Sequence, residues 1–201
     1  MRATCLRCLR PEGFCVCADL RAAPSRTRVV ILQHPREARL AICSAWLTRL
    51  ALENAELHRG VRFGGDARVR EAASAPGAAL LFPGEGAAPV ASRAGDPPPV
   101  LFAIDGTWPQ AEKMLRVNPE LAALPRLSLA PARASGYAGL RREPEAGFLP
   151  TIEAVALALG ALEGDPARFE PMVEAFRRSV ALQLACAGGE RRRPRHRRPL
   201  A

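Results

Sequence analysis

One short junction limits what this chain can fold into. Val100 to Ile104 is an uninterrupted apolar run, the pattern of a strand buried on both faces, and it ends on a carboxylate, Asp105. Gly106 lets the backbone turn. Thr107 and Gln110 have capping-box spacing, and Pro109 fits the first turn of a helix, where its missing N–H costs nothing. A helix is expected from there through Met114, Leu115 and Val117. An acid, a hydroxyl and the Trp108 indole are thus presented where a strand meets a helix, and ligands of open α/β sheets bind at the carboxyl ends of strands. Spacing alone is equally consistent with an ordinary capped turn carrying a packed tryptophan.

The rest of the chain repeats the alternation. Arg28 to Gln33 reads as a strand, His34 to Glu37 as a turn, and Ala38 to Leu52 as a helix. Val61 to Phe63 is a short strand candidate, and Ala78 to Phe82 is a buried strand running into the turn Pro83-Gly84-Glu85-Gly86. Residues 87–99 read as a surface loop and Leu127 to Leu129 as a further short strand, and 130–150 are irregular. A helix starts near Thr151, buries Ile152, Val155, Leu159 and Leu162, and stops at Gly164. Asp165 caps the last helix, with Pro166 at its first position and Gly188-Gly189 after its end. Strands alternating with helices predict an α/β fold, a mostly parallel sheet flanked by helices.

Cys5, Cys8, Cys15 and Cys17 form a C-x-x-C-x6-C-x-C cluster ahead of this body. In a reducing compartment two close thiol pairs argue for a metal rather than disulfides, and four thiolates suit tetrahedral structural Zn2+. A redox role, another metal and unligated thiols are the other readings. The expected organisation is a small N-terminal zinc knuckle over 1–24, an α/β domain over 25–188 and a disordered arginine-rich tail over 189–201. Cys43 and Cys186 read as buried small residues.

Charge is uneven. Of the net +9, residues 1–28 carry +4 and residues 191–201 carry +6, which leaves the body, 29–190, at −1. Basic ends suit a polyanion such as RNA, since each neutralised phosphate releases counterions; a solvated tail would look the same. No stretch approaches the roughly 20 apolar residues of a membrane span, and there is no apolar signal core, so a soluble, cytoplasmic protein is expected.

With these residues in order, the chain resembles the DTW-domain family. The likeness rests on the cysteine knuckle, LQHPRE (32–37), LLFPGEGA (80–87), IDGTWPQAEKML (104–115) with Asp105, Thr107 and Trp108 as its Asp-x-Thr-Trp, and SGYAGLRREPEAGFLPTIEAVALAL (135–159) with Thr151, Glu153 and Ala154. The resemblance implies a SPOUT-like fold, in which a knotted sheet binds S-adenosylmethionine, although general rules of chain connection argue against knots. It also implies transfer of the 3-amino-3-carboxypropyl group from that donor to N3 of a uridine in tRNA, with release of methylthioadenosine. A SPOUT-like RNA methyltransferase and a non-catalytic zinc-containing RNA-binding protein are the alternatives.

On this resemblance Asp105, Thr107, Trp108 and Glu153 are the expected catalytic residues. Phe82, Pro83, Gly84, Asp105, Gly106, Leu140, Arg141 and Thr151 are expected to contact the donor. Asp105 is either the base for N3, a group that orients substrate, or a cap. Trp108 either stacks on a base or packs in the core. Glu153 suits the helix dipole or a donor ammonium. Arg141 and Arg142 would take a carboxylate or a phosphate, and His34 reads as structural more readily than catalytic.

Overall fold

The computed structural model describes residues 3–39, 43–129 and 149–186. Its six strands are β1 (Arg28–Gln33), β2 (Ala55–Arg59), β3 (Ala79–Leu81), β4 (Ala88–Pro89), β5 (Val100–Asp105) and β6 (Arg126–Ser128). The helices are α1 (Ser44–Ala51), α2 (Ala67–Ala73), α3 (Trp108–Arg116), α4 (Pro119–Ala122), α5 (Thr151–Glu163) and α6 (Pro166–Cys186). All strands are parallel, in the order β2-β1-β5-β3-β6-β4.

Period-2 alternation within β1 divides the core between two faces. Val29 and Ile31 pack with α1, α5 and α6 through Leu47, Ile152, Leu159, Phe169 and Phe176. Val30 and Leu32 face the other way, with Phe102 of β5, and meet α2, α3 and α4 through Val69, Met114 and Leu121. The sheet is therefore covered on both sides, as its continuous apolar strands require. The knuckle adds to the first face, where Cys8, Val16 and Leu20 are buried against the same cluster.

Several elements differ from expectation for identifiable reasons. The first helix begins at Ser44 rather than Ala38, because Glu37–Arg39 is a single 3-10 turn and Cys43 is extended at φ −93° and ψ 101°. Val61 to Phe63 is not a strand. The Asn118 side chain takes the place of a ladder there, accepting the Phe63 N–H at 2.7 Å and donating to the Val61 carbonyl at 2.8 Å and the Met114 carbonyl at 2.7 Å. The strand of this region is β2, in register with β1 from Val29↔Ala55 to Gln33↔Arg59. The loop at 87–99 holds the two-residue β4 and a 3-10 turn over Val90–Arg93.

Helices α5 and α6 begin and end as their sequences dictate. Gly164 adopts φ 70° at the end of α5, a left-handed conformation that glycine accepts without Cβ strain. Asp165 Oδ1 then accepts the Arg168 N–H at 3.2 Å and opens α6. At the far end of α5, Glu163 Oε1 accepts the N–H of Arg26 at 2.9 Å, just ahead of β1, while Oε2 pairs with Arg168 at 2.7 Å. Among the described residues no helix is long and apolar enough to cross a membrane.

Candidate functional site at the ends of β1 and β5

The chain leaves β1 toward β2 on one side and later fills the positions on the other side, so β1 and β5 flank the topological switch point of the sheet. Their last residues, Gln33 and Asp105, are register partners. Buried Gln33 donates from Nε2 to Asp105 Oδ2 at 2.9 Å. Thr151, the first residue of α5, donates from Oγ1 to Asp105 Oδ1 at 2.6 Å. The two donors approach from separate elements and fix the carboxylate plane. The Asp105 carbonyl accepts the His34 N–H at 2.8 Å, joining the two strand ends through the backbone as well.

Thr107 is the N-cap of α3 and receives the Gln110 side chain, with Thr107 N–H to Gln110 Oε1 at 2.8 Å. Trp108 follows at the helix start, 39% exposed, and stacks on Phe82 with ring centroids 4.8 Å apart and planes 13° from parallel. The Arg126 guanidinium lies 5.7 Å from the Phe82 ring on β6's side. Gly84 has φ 145°, and a Cβ there would come within 2.9 Å of Arg126 Nη1, so a side chain at that position would displace the arginine. The result is an aromatic and cationic wall next to the carboxylate. Glu153 is buried in the first turn of α5, two residues past Thr151. Pro83 and Gly106 lie in the two turns that follow β3 and β5. Leu140, Arg141 and Arg142 lie outside the described residues.

Three residues at this site were not anticipated: Gln33, Cys43 and Arg59. Gln33 Nε2 also donates to Cys43 Sγ at 3.0 Å, and Arg59 Nε donates to Gln33 Oε1 at 3.1 Å. Burial and the charge of Asp105 push the Cys43 thiol up, so it stays protonated. His34 is buried with Nδ1 accepting the Arg36 N–H at 3.2 Å. Burial, then the Arg36 charge, holds its imidazole below its ordinary value, which favours the neutral ring. A 580 Å³ depression lined by Arg70, Glu71 and Glu120 shares no residue with this site.

The four knuckle cysteines converge independently of the junction, their sulfurs all within 4.8 Å of one another. Cys5–Cys17 and Cys8–Cys15 are both 3.8 Å apart. Metal–sulfur bonds of about 2.3 Å in a tetrahedron require S···S edges of about 3.8 Å, so the set fits a metal ion. The amide N–H groups of Cys8 and Arg7 point at Cys5 and hold its thiol down to about 6, while burial pushes Cys8 and Cys17 up. The two arginines inside the knuckle differ, Arg7 being exposed and Arg10 buried. Arg7 donates to the carbonyls of Cys17 and Leu20 at 3.3 Å each, and Arg10 is buried against Ser179 of α6.

Compared with known families, residues 2–184 match the model of the DTW domain. The chain belongs to the DTW-domain family. Among curated DTW relatives, tRNA-uridine aminocarboxypropyltransferase 2 of Drosophila melanogaster is 32% identical over 193 residues, covering 91% of this chain and 76% of that protein. tRNA-uridine aminocarboxypropyltransferase A of Arabidopsis thaliana is 28% identical, with 84% and 76% covered. tRNA-uridine aminocarboxypropyltransferase 2 of Mus musculus is 30% identical, with 91% and 64% covered. No solved structure gives a significant match to this DTW protein.

Proposed function

We propose that this DTW protein transfers the 3-amino-3-carboxypropyl group of S-adenosylmethionine to N3 of a uridine in tRNA. The observation that carries the reading is the carboxylate held by Gln33 and Thr151 at the switch point, beside the Phe82–Trp108 stack. The names of the family relatives supply the reaction class.

In this reaction N3 loses a proton, a bond forms between N3 and the γ-carbon of the donor, the γ-carbon–sulfur bond breaks, and methylthioadenosine leaves. The sulfonium is already a good leaving group. The enzyme's main task is to place the γ-carbon, rather than the methyl, in line with N3, at about 3–3.5 Å. Asp105 is the acceptor of the N3 proton, its plane fixed by two donors. Trp108 presents its indole for stacking on a base, an interaction of about 1–3 kcal/mol. Gly84 keeps the turn after β3 open beside Arg126. Glu153 offers a carboxylate to the donor ammonium, and Arg141 a cation to the donor carboxylate or an RNA phosphate.

The four cysteines hold a structural Zn2+ that stiffens the knuckle and takes no part in the transfer. Since the body is near neutral, Arg10 is buried against Ser179 and Arg28 is paired with Glu56 and Glu71, RNA attraction falls to the arginines at 191–201 and to exposed Arg7, Arg21 and Arg26. Deleting 191–201 flattens the salt dependence of RNA binding by up to about six counterions.

The deciding experiment incubates the purified protein with tRNA and S-adenosylmethionine and analyses the nucleosides by mass spectrometry. The expected products are 3-aminocarboxypropyl-uridine and methylthioadenosine. Release of S-adenosylhomocysteine would instead make the chain a methyltransferase, and RNA binding without either product would make it a non-catalytic RNA-binding protein.

A further inference from the structure

The hydrogen bonds around Asp105 pose a polarity problem that one exposed arginine resolves. Gln33 is fully buried, and the two ends of its amide have opposite chemistry. The Nε2 end faces Asp105 and Cys43, and the Oε1 end faces Arg59. Turned end for end, the amide would aim an oxygen at the Asp105 carboxylate, acceptor against acceptor. A guanidinium only donates. Arg59 therefore draws the Gln33 oxygen to itself and sends the NH2 group to Asp105.

Arg59 is in turn held in place. Its guanidinium lies 5.7 Å from the ring centroid of Trp46 on α1. Trp46 Nε1 donates to the carbonyl of Arg7 at 3.1 Å, inside the first cysteine pair. The chain of contacts runs from the knuckle through Trp46, Arg59 and Gln33 to the carboxylate.

We propose that Arg59 is a positioning residue for the transfer, acting on Asp105 through Gln33, with the cysteine knuckle bracing it through Trp46. The role rests on the reading of Asp105 given above. Arg59 touches no reacting atom in this scheme; it sets which end of the Gln33 amide the carboxylate meets.

The test is kinetic and spectroscopic. Arg59→Met keeps the aliphatic stem and removes every donor. It lowers kcat for uridine modification about ten- to a hundredfold, the scale of a misplaced reacting group, and leaves KM for tRNA and for the donor within about twofold. Arg59→Lys, still a donor, recovers part of kcat. In a Gln33→Ala background Arg59→Met costs nothing further, because the route is already cut. A raised KM for tRNA with kcat unchanged overturns the proposal and makes Arg59 a phosphate contact, and additive losses in the double variant also overturn it.

If melting curves show that Arg59→Met does not fold, Trp46→Phe replaces it, with a smaller fall in kcat expected and an unchanged kcat counting against the proposal. If the wild-type protein transfers nothing, the proposed function fails, and the positioning is read without turnover. NMR of the Gln33 side-chain amide and the Asp105 carboxyl carbon in labelled protein must then show both signals moved by Arg59→Met. Unmoved signals overturn it.

Discussion

The cysteine knuckle and the Asp105 junction are assembled by opposite strategies. The knuckle draws its four sulfurs from thirteen consecutive positions, so chain connectivity alone brings them close, in an arrangement that a metal ion would complete. The junction draws Gln33, Arg59, Asp105 and Thr151 from four separate elements and brings them together only when β1, β2, β5 and α5 have all docked. A local site tolerates a loosened fold as long as its metal is present. A site made by sheet register depends on the whole core.

That contrast predicts where each site breaks. Asp105→Asn removes the proposed proton acceptor while keeping shape, and activity is expected to fall about 10²–10⁴-fold with an unchanged melting curve. Retained kcat would relegate Asp105 to holding substrate. Replacing Cys5 and Cys8 by serine removes the single metal ion expected per chain, read by elemental analysis. It lowers the melting temperature by about 10 °C, a few kcal/mol in a chain this size, because the knuckle shares core with α1 and α6. An unchanged metal content would sink the four-cysteine assignment.

Thr151→Val strips one charge-assisted donor from Asp105 and costs about 1.5–3 kcal/mol of transition-state stabilisation, seen as a lower kcat rather than as metal loss. The smallest effect concerns acid. His34 has its imidazole held down by burial, so the folded protein takes up that proton less readily than the unfolded chain. Its contribution to stability is complete above about pH 6.5, the ordinary imidazole value, and is lost as the pH falls toward the depressed folded value. Denaturant melts of His34→Gln across pH 7 to 5 should show a flatter decline than wild type. Parallel curves would mean that His34 plays no part in the acid response.

How far each region was legible follows from the same difference. The cysteine cluster could be read from spacing because its neighbours in space are its neighbours in sequence. β1 was legible to the residue and β5 to within one, since strands buried on both faces are written as nearly unbroken apolar runs. β2 was not, because this edge strand carries Glu56 and His58 on the sheet face shared with Val30 and Leu32, where they engage Arg28 and Asp66 instead of apolar side chains. Phe63 looked like a strand residue because it is apolar and buried, yet its backbone N–H is satisfied by Asn118. Asp105 and Thr151 could each be singled out by their local signals, but their hydrogen bond could not. Gln33 lies within the LQHPRE motif, but neither it nor Arg59 could be given a role from the sequence, because both roles come from the register of three parallel strands.

Helix α5 has a consequence of its own. Its first residue grips Asp105 at the carboxyl end of the sheet, and its last, Glu163, grips the backbone at Arg26, where β1 is about to begin. Thirteen residues at 1.5 Å each span about 20 Å, and the six residues of β1 at about 3.3 Å each span the same distance. The helix is thus a ruler cut to the width of the sheet. Inserting or deleting one residue would turn one end by about 100° relative to the other, so that Thr151 and Glu163 could no longer both reach their partners. Helix α5 is bound to a fixed number of turns by the strand beneath it.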